Sequence, residues 1–143
     1  RVPIPWSGNT PSYGFGPGPE SWLPQPPEWA GLSVESEQGV EGSTLEFYRA
    51  ALRIRRASPS LGEGPLEWLD SPDDVLALRR VAPDGGATTV IINLAASAVH
   101  LPAEWGVDVQ LASSDDVAVL TTDDDVESLA VGAETALWLG STS

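Results

Sequence analysis

The sequence predicts a mainly β chain: an antiparallel β-sandwich preceded by a Pro- and Trp-rich loop and one helix. Three observations carry this. Short apolar segments recur from residue 64 to residue 140, with turn residues between them. One stretch, residues 43–58, has apolar residues at helical spacing. The first 42 residues hold so many prolines that neither a long helix nor a central strand fits there.

The loop contains Pro3, Pro5, Pro11, Pro17, Pro19, Pro24, Pro26 and Pro27, with Trp6, Trp22 and Trp29 among them. A flexible linker is poor in aromatics. The tryptophans therefore predict an ordered loop that packs on something larger.

The helix begins with a capping signal, Ser43 with Glu46 three positions on. Leu45, Tyr48 and Leu52 form one apolar stripe, and Phe47, Ala51 and Ile54 a second beside it. A helix lying on a sandwich needs only one. Arg53, Arg55 and Arg56 occupy the last turns, where positive charge complements the helix dipole, and Pro59 ends the run.

Predicted strands are Leu66–Leu69, Val75–Val81, Thr88–Leu94, Ala98–Leu101, Val107–Ala112, Val117–Thr121 and Thr135–Leu139, with a weaker segment at Val126–Val131. Asp-, Gly- and Pro-rich turns separate them, such as Pro83-Asp84-Gly85-Gly86. Val90, Ile91 and Ile92 are apolar on both faces, which predicts a central strand.

Composition excludes several functions. The 143 residues carry a formal net charge of −14, and all seven positive charges are Arg. Such a chain repels phosphate backbones, so nucleic acid is not an expected partner. No apolar run is long enough to span a membrane, and none opens the chain as a signal peptide. A cytoplasmic location is expected. There is no cysteine, and His100 is the one histidine, so neither thiolate nor His-based metal chemistry is expected, nor any cofactor. The chain opens at Arg1 and contains no Met, which predicts an N-terminus made by cutting or trimming.

Glycoside cleavage needs two facing carboxylates. The acidic clusters here, Asp73-Asp74, Asp115-Asp116 and Asp123-Asp124-Asp125, all fall between predicted strands. Asp favours turns because its side chain bonds nearby backbone donors, so the turn reading is preferred to catalysis or calcium binding. His100 lies between Val99 and Leu101 and is expected to face solvent, and no G-x-S-x-G elbow accompanies it. Gly14-Phe15-Gly16-Pro17-Gly18 matches neither a phosphate loop nor a dinucleotide fingerprint. Six tryptophans could stack on sugar rings. Trp68, Trp105 and Trp138 sit in or beside strands, however, where core packing is the default.

Arg1-Val2-Pro3-Ile4-Pro5-Trp6 resembles the R-x-P-x-x-W segment of α-glucosidases of glycoside hydrolase family 13, the α-amylase superfamily. Gly14-Phe15 and Trp22-Leu23-Pro24 resemble that family's following loop. Ser43 to Leu61, with Tyr48-Arg49, Leu52, Arg55-Arg56 and Pro59-Ser60-Leu61, resembles its last barrel helix. Val90-Ile91-Ile92-Asn93-Leu94 resembles a strand of its C-terminal β domain. Ile4-Pro5 stands where Met-Gln is more familiar, and Ala95 where Ser is.

The resemblance implies that residues 1–61 are the C-terminal remnant of a (β/α)8 barrel, loop plus last helix, and residues 62–143 an all-β domain. It implies a retaining α-glucosidase acting on α-glucosidic oligosaccharides, whose catalytic carboxylates lie upstream of Arg1. No catalytic role then falls on this chain. One binding role is carried over: Arg1 matches an Arg that contacts the non-reducing glucose. The expected partner is the rest of the barrel. Without it, the second helix stripe and the Trp-rich loop would be left exposed, with a homodimer through that surface or a fold-back of the loop as the expected outcomes. The alternative reading is a stand-alone carbohydrate-binding or structural β domain.

Overall fold

The computed structural model describes residues 2–121 and 127–140. By internal contacts the chain forms two compact units, Arg1–Arg49 and Ala50–Ser143.

In the first unit the prolines set short turns rather than long elements. 3₁₀ turns run over Pro11–Gly14 and Pro27–Leu32, each with proline in its first positions, where a missing N–H costs nothing. A one-turn helix, α1 (Val34–Glu37), follows. The buried Ser33 caps it, its Oγ accepting from Ser36 N at 3.3 Å. The next orphan donors are met from the start of the chain. Val34 N donates to Pro5 O (2.9 Å) and Glu35 N to Trp6 O (3.0 Å). Residues 3–6 are thereby tied to α1, and Pro3 is buried.

Helix α2 (Thr44–Ala57) matches the predicted helix to within a residue at each end. Its cap uses the predicted pair: Ser43 Oγ accepts from Glu46 N at 3.2 Å. The Glu46 carboxylate also accepts from Gly39 N at 2.9 Å and pairs with Arg49 at 2.7 Å. Ser43 N donates to Val40 O (3.1 Å). A second acid completes the cap, Glu37 Oε2 accepting from Leu45 N at 2.9 Å. The α1–α2 turn brings Glu37 there, and a local motif search cannot see that.

The second unit is the β domain. Its strands are β1 (Leu66–Trp68), β2 (Val75–Val81), β3 (Ala87–Asn93), β4 (Val99–Leu101), β5 (Asp108–Ala112), β6 (Val117–Thr121), β7 (Glu127–Val131) and β8 (Ala136–Gly140). All eight predicted segments are present. They form a five-stranded sheet in the order β1-β2-β3-β8-β5 and a three-stranded sheet in the order β4-β7-β6, and every pairing is antiparallel. The predicted central strand, β3, is central. One core cluster joins the sheets: Val75, Ala77, Ile91, Leu137 and Leu139 from the larger, and Leu101, Leu129 and Val131 from the smaller. That shared core makes the unit a sandwich. Each fully buried Ile, Leu or Val stabilises it by about 1.5–3 kcal/mol.

Tryptophan placement corrects one expectation. Trp105 is half-buried against the core, as the default predicts. Trp68, however, is 68% exposed. It lies on β1, a three-residue edge strand whose residues are all exposed, so its neighbours cannot cover the indole.

Two polar devices hold the sandwich. Asn93 is fully buried at the end of β3, and its Nδ2 donates to Ser97 O (2.9 Å) and Gly132 O (2.8 Å), with Val131 O at 3.3 Å. Its Oδ1 accepts from Ala95 N at 3.0 Å. One side chain thus fastens β3, the β3–β4 turn and the end of β7. The second is a triangle of hydroxyls. Ser60 Oγ lies 2.6 Å from Thr88 Oγ1 and 2.8 Å from Ser58 Oγ, fixing the turn after α2 to β3. Close by, Arg80 Nη2 donates to Gly62 O and Gly64 O, both at 2.6 Å. Gly64 has no room for a side chain: a Cβ there would overlap the Val81 carbonyl.

Candidate functional site

The sequence-predicted site residues do not converge. Arg1 lies outside the described residues, as do Asp123, Asp124 and Asp125. Asp73 and Asp74 occupy the turn before β2, closed by Val75 N donating to Pro72 O at 2.9 Å. Asp115 and Asp116 lie between β5 and β6, where Asp116 N donates to Ser114 Oγ (3.1 Å) and Gly132 N to Asp116 O (2.7 Å). These are turn roles. His100 is exposed on β4. Among the described residues no group of three or more His, Cys, Asp or Glu is placed to hold a metal.

What the first unit does build is a cleft of about 540 Å³ within the Pro-rich loop. Thr10, Tyr13, Glu20, Ser21, Trp22 and Gln25 line it. Its floor is an unusual backbone. Ser12 and Tyr13 have φ of +52° and +47°, followed by Gly14 at +73°. Left-handed φ on a non-glycine residue costs on the order of 1–3 kcal/mol, so the surroundings must enforce it. They do. Trp6 N and Ser7 N both donate to Tyr13 O, at 2.7 and 3.1 Å. The Tyr13 hydroxyl reaches Pro27 O and Pro26 O at 3.2 and 3.3 Å, and Ser12 Oγ donates to Gly18 O at 3.3 Å. Gly8 has no room for a Cβ, which would come within 2.9 Å of Ala30 O. Sequence reading predicts a loop here but misses the left-handed pair, because neither Ser nor Tyr signals positive φ.

Apolar side chains stand exposed around these elements. Trp22 is 75% exposed, Trp6 51% and Tyr48 63%. On α2, Tyr48 and Leu52 are exposed, whereas Phe47, Ala51 and Ile54 are half-buried. This corrects the expectation that the second stripe is the exposed one: Phe47, Ala51 and Ile54 are half-buried, and exposure falls on Tyr48 and Leu52 of the first stripe, whose Leu45 is half-buried. None of the 14 residues of α2 is fully buried.

No family model matches the chain. It is 30% identical to a probable α-glucosidase of Rhizobium meliloti (strain 1021) over 80 residues, 56% of this chain and 14% of that protein. It is 24% identical to maltase A2 of Drosophila melanogaster over 97 residues, 66% of this chain and 17% of that one. A crystal structure of a variant of the trehalulose synthase MutB, soaked with trehalulose, superposes with a TM-score of 0.79 at 26% identity, covering 99% of this chain. The chain is a relative of the α-glucosidase-like enzymes of glycoside hydrolase family 13. Isomaltulose synthase from Klebsiella shares the fold, with a TM-score of 0.77 at 23% identity over 97% of this chain.

The antiparallel sandwich matches the C-terminal β domain of family 13 enzymes. The chain spans 14% and 17% of the curated relatives' lengths and about a quarter of the solved family 13 chains.

Proposed function

We propose that this chain is the non-catalytic C-terminal part of a retaining α-glucosidase that hydrolyses α-glucosidic bonds in oligosaccharides. The observation that carries the reading is the coverage of the superposition: 99% of this chain against 25% of a family 13 enzyme, at 26% identity. On this reading residues 1–61 complete the barrel and residues 62–143 form the β domain. The sandwich stabilises the barrel by burying apolar surface against it, and the exposed Tyr48 and Leu52 of α2 with the Trp-rich loop face the rest of the barrel. Arg1 contacts the non-reducing glucose in the intact enzyme, where guanidinium donors suit sugar hydroxyls. The location is cytoplasmic.

The chemistry needs a nucleophile and an acid/base carboxylate on opposite sides of the glycosidic bond. Among the described residues, Glu37 and Glu46 cap α2, and Asp73, Asp74, Asp115 and Asp116 lie in turns. The isolated chain is therefore expected to release no glucose from maltose, isomaltose or an aryl α-glucoside. Turnover that survives purification and disappears with Asp124→Asn would overturn the proposal.

A further inference from the structure

We infer that the outer face of the five-stranded sheet is a docking surface, covered in the intact protein by an apolar helical face from the upstream part of the same polypeptide. The occupant rests on the α-glucosidase reading above, and the face itself follows from the strand register.

Side chains directly opposite each other on neighbouring strands share a face of the sheet. Val75, Ala77, Ile91, Leu137 and Leu139 point into the core. Residues that alternate with them point away from it. One row of these crosses all five strands: Trp68 on β1, Leu78 on β2, Val90 on β3, Trp138 on β8 and Leu111 on β5. Leu76 and Ile92 pair in the next row. An antiparallel sheet with water on one side carries polar residues there. This sheet is apolar on both sides. Trp68 is 68% exposed and Leu76 45%, while Leu78, Val90, Ile92, Trp138 and Leu111 are half-buried. The charged side chains of the face, Arg80 and Asp108, stand together at one end, in the row of Thr88 and Gly140.

The opposite outer face of the sandwich differs. On the smaller sheet His100, Ala130 and Ala118 share a row, and two of those three side chains are single methyl groups. The broad apolar surface therefore lies on one side of the sandwich only, which marks that side as the covered one.

Two observations select the occupant. The turn after α2 already lands on this face: Ser60 Oγ lies 2.6 Å from Thr88 Oγ1, and Arg80 Nη2 donates to the carbonyls of Gly62 and Gly64. The chain thus enters the β domain across this face, so residues upstream of α2 have a short path to the rest of it. The chain also spans about a quarter of the family 13 chains it superposes on, which leaves ample polypeptide to supply the cover. A helix with one apolar stripe suits a sheet face whose charges are confined to one end.

Hydroxyl-radical footprinting tests this on the purified chain and on the full-length gene product that contains it. Trp68 and Leu76 should be oxidised readily in the chain alone and should lose that labelling in the full-length product. His100, exposed on the smaller sheet, should label equally in both. The double variant Trp68→Ser, Leu76→Ser gives a second readout. It should leave the urea midpoint of the isolated chain unchanged, because both side chains are exposed there, and lower the unfolding temperature of the full-length product. Equal labelling of Trp68 in both forms would overturn the inference. So would a double variant that destabilises the isolated chain as much as the full-length product, or Trp68 labelling in the isolated chain that falls as its concentration rises, since a second copy would then be the cover. A full-length product that labels at Trp68 yet hydrolyses α-glucosides overturns the docking face alone and leaves the α-glucosidase reading standing. A gene product no longer than this chain overturns both.

Discussion

Replacing Asn93 with Ala tests how the two sheets are fastened. Asn93 is fully buried and makes three short hydrogen bonds, to Gly132 O (2.8 Å), Ser97 O (2.9 Å) and from Ala95 N (3.0 Å). The Val131 O contact at 3.3 Å shares a hydrogen with these, since the amide has only two to give. At about 1 kcal/mol net per bond, the truncation removes about 3 kcal/mol. Backbone groups left unpaired in the interior add to that, and small shifts or an entering water subtract, so the expected loss is about 3–4 kcal/mol. Urea denaturation followed by near-ultraviolet circular dichroism measures it. Asn93→Asp sharpens the test. It keeps the acceptor for Ala95 N but turns a carboxylate oxygen toward the three carbonyls. The introduced acid should be raised above the ordinary carboxylate range in the folded state by burial and by those carbonyls. Its variant is then most stable at acid pH, below the unfolded carboxylate range, and loses stability as pH rises toward neutral. At pH 7 it should be less stable than Asn93→Ala. A loss under about 1 kcal/mol for Asn93→Ala, or an Asn93→Asp variant as stable as wild type at neutral pH, would refute the claim that this amide fastens the sandwich.

Further outcomes follow from the same structure. Ser43→Ala should cost about 1 kcal/mol by freeing Glu46 N, and an unchanged denaturation midpoint would mean that Glu37 alone sustains the cap. Gly64→Ala should cost about 1–3 kcal/mol, because its Cβ meets backbone at Val81 that cannot move aside cheaply, and a neutral substitution would contradict the close approach. The uncovered Tyr48 and Leu52 should make the isolated chain self-associate or lower its protection from hydrogen exchange in residues 1–58. Sedimentation across concentrations that shows a strict monomer, with α2 protected and the loop touching neither the helix nor a neighbour, would contradict the missing-partner reading.

The strands and α2 were legible because their signals are local. Val75 to Val81 opens with an apolar run set between turn residues, and Ser43 precedes a run of apolar residues at helical spacing. Strand order, and the Glu37 cap on Leu45 N, depend on segments meeting in space. Trp68 was misplaced for a related reason. Its sequence reads as core, but its depth is set by lying on a short edge strand. The cleft was illegible in another way: its floor depends on positive φ at Ser12 and Tyr13, imposed by hydrogen bonds from Trp6 and Ser7.

The central claim is that this chain works as part of an α-glucosidase. Immunocapture tests it most directly. An antibody against the chain is used to capture its gene product from the source cells, and the captured material is sized and assayed on maltose, isomaltose and an aryl α-glucoside. The chain is 15.0 kDa and covers about a quarter of its structural relatives. The account predicts a captured polypeptide roughly four times that mass, carrying α-glucosidase activity that the antibody depletes from the extract. A captured product of the chain's own size, with the α-glucosidase activity left behind in the extract, would contradict it.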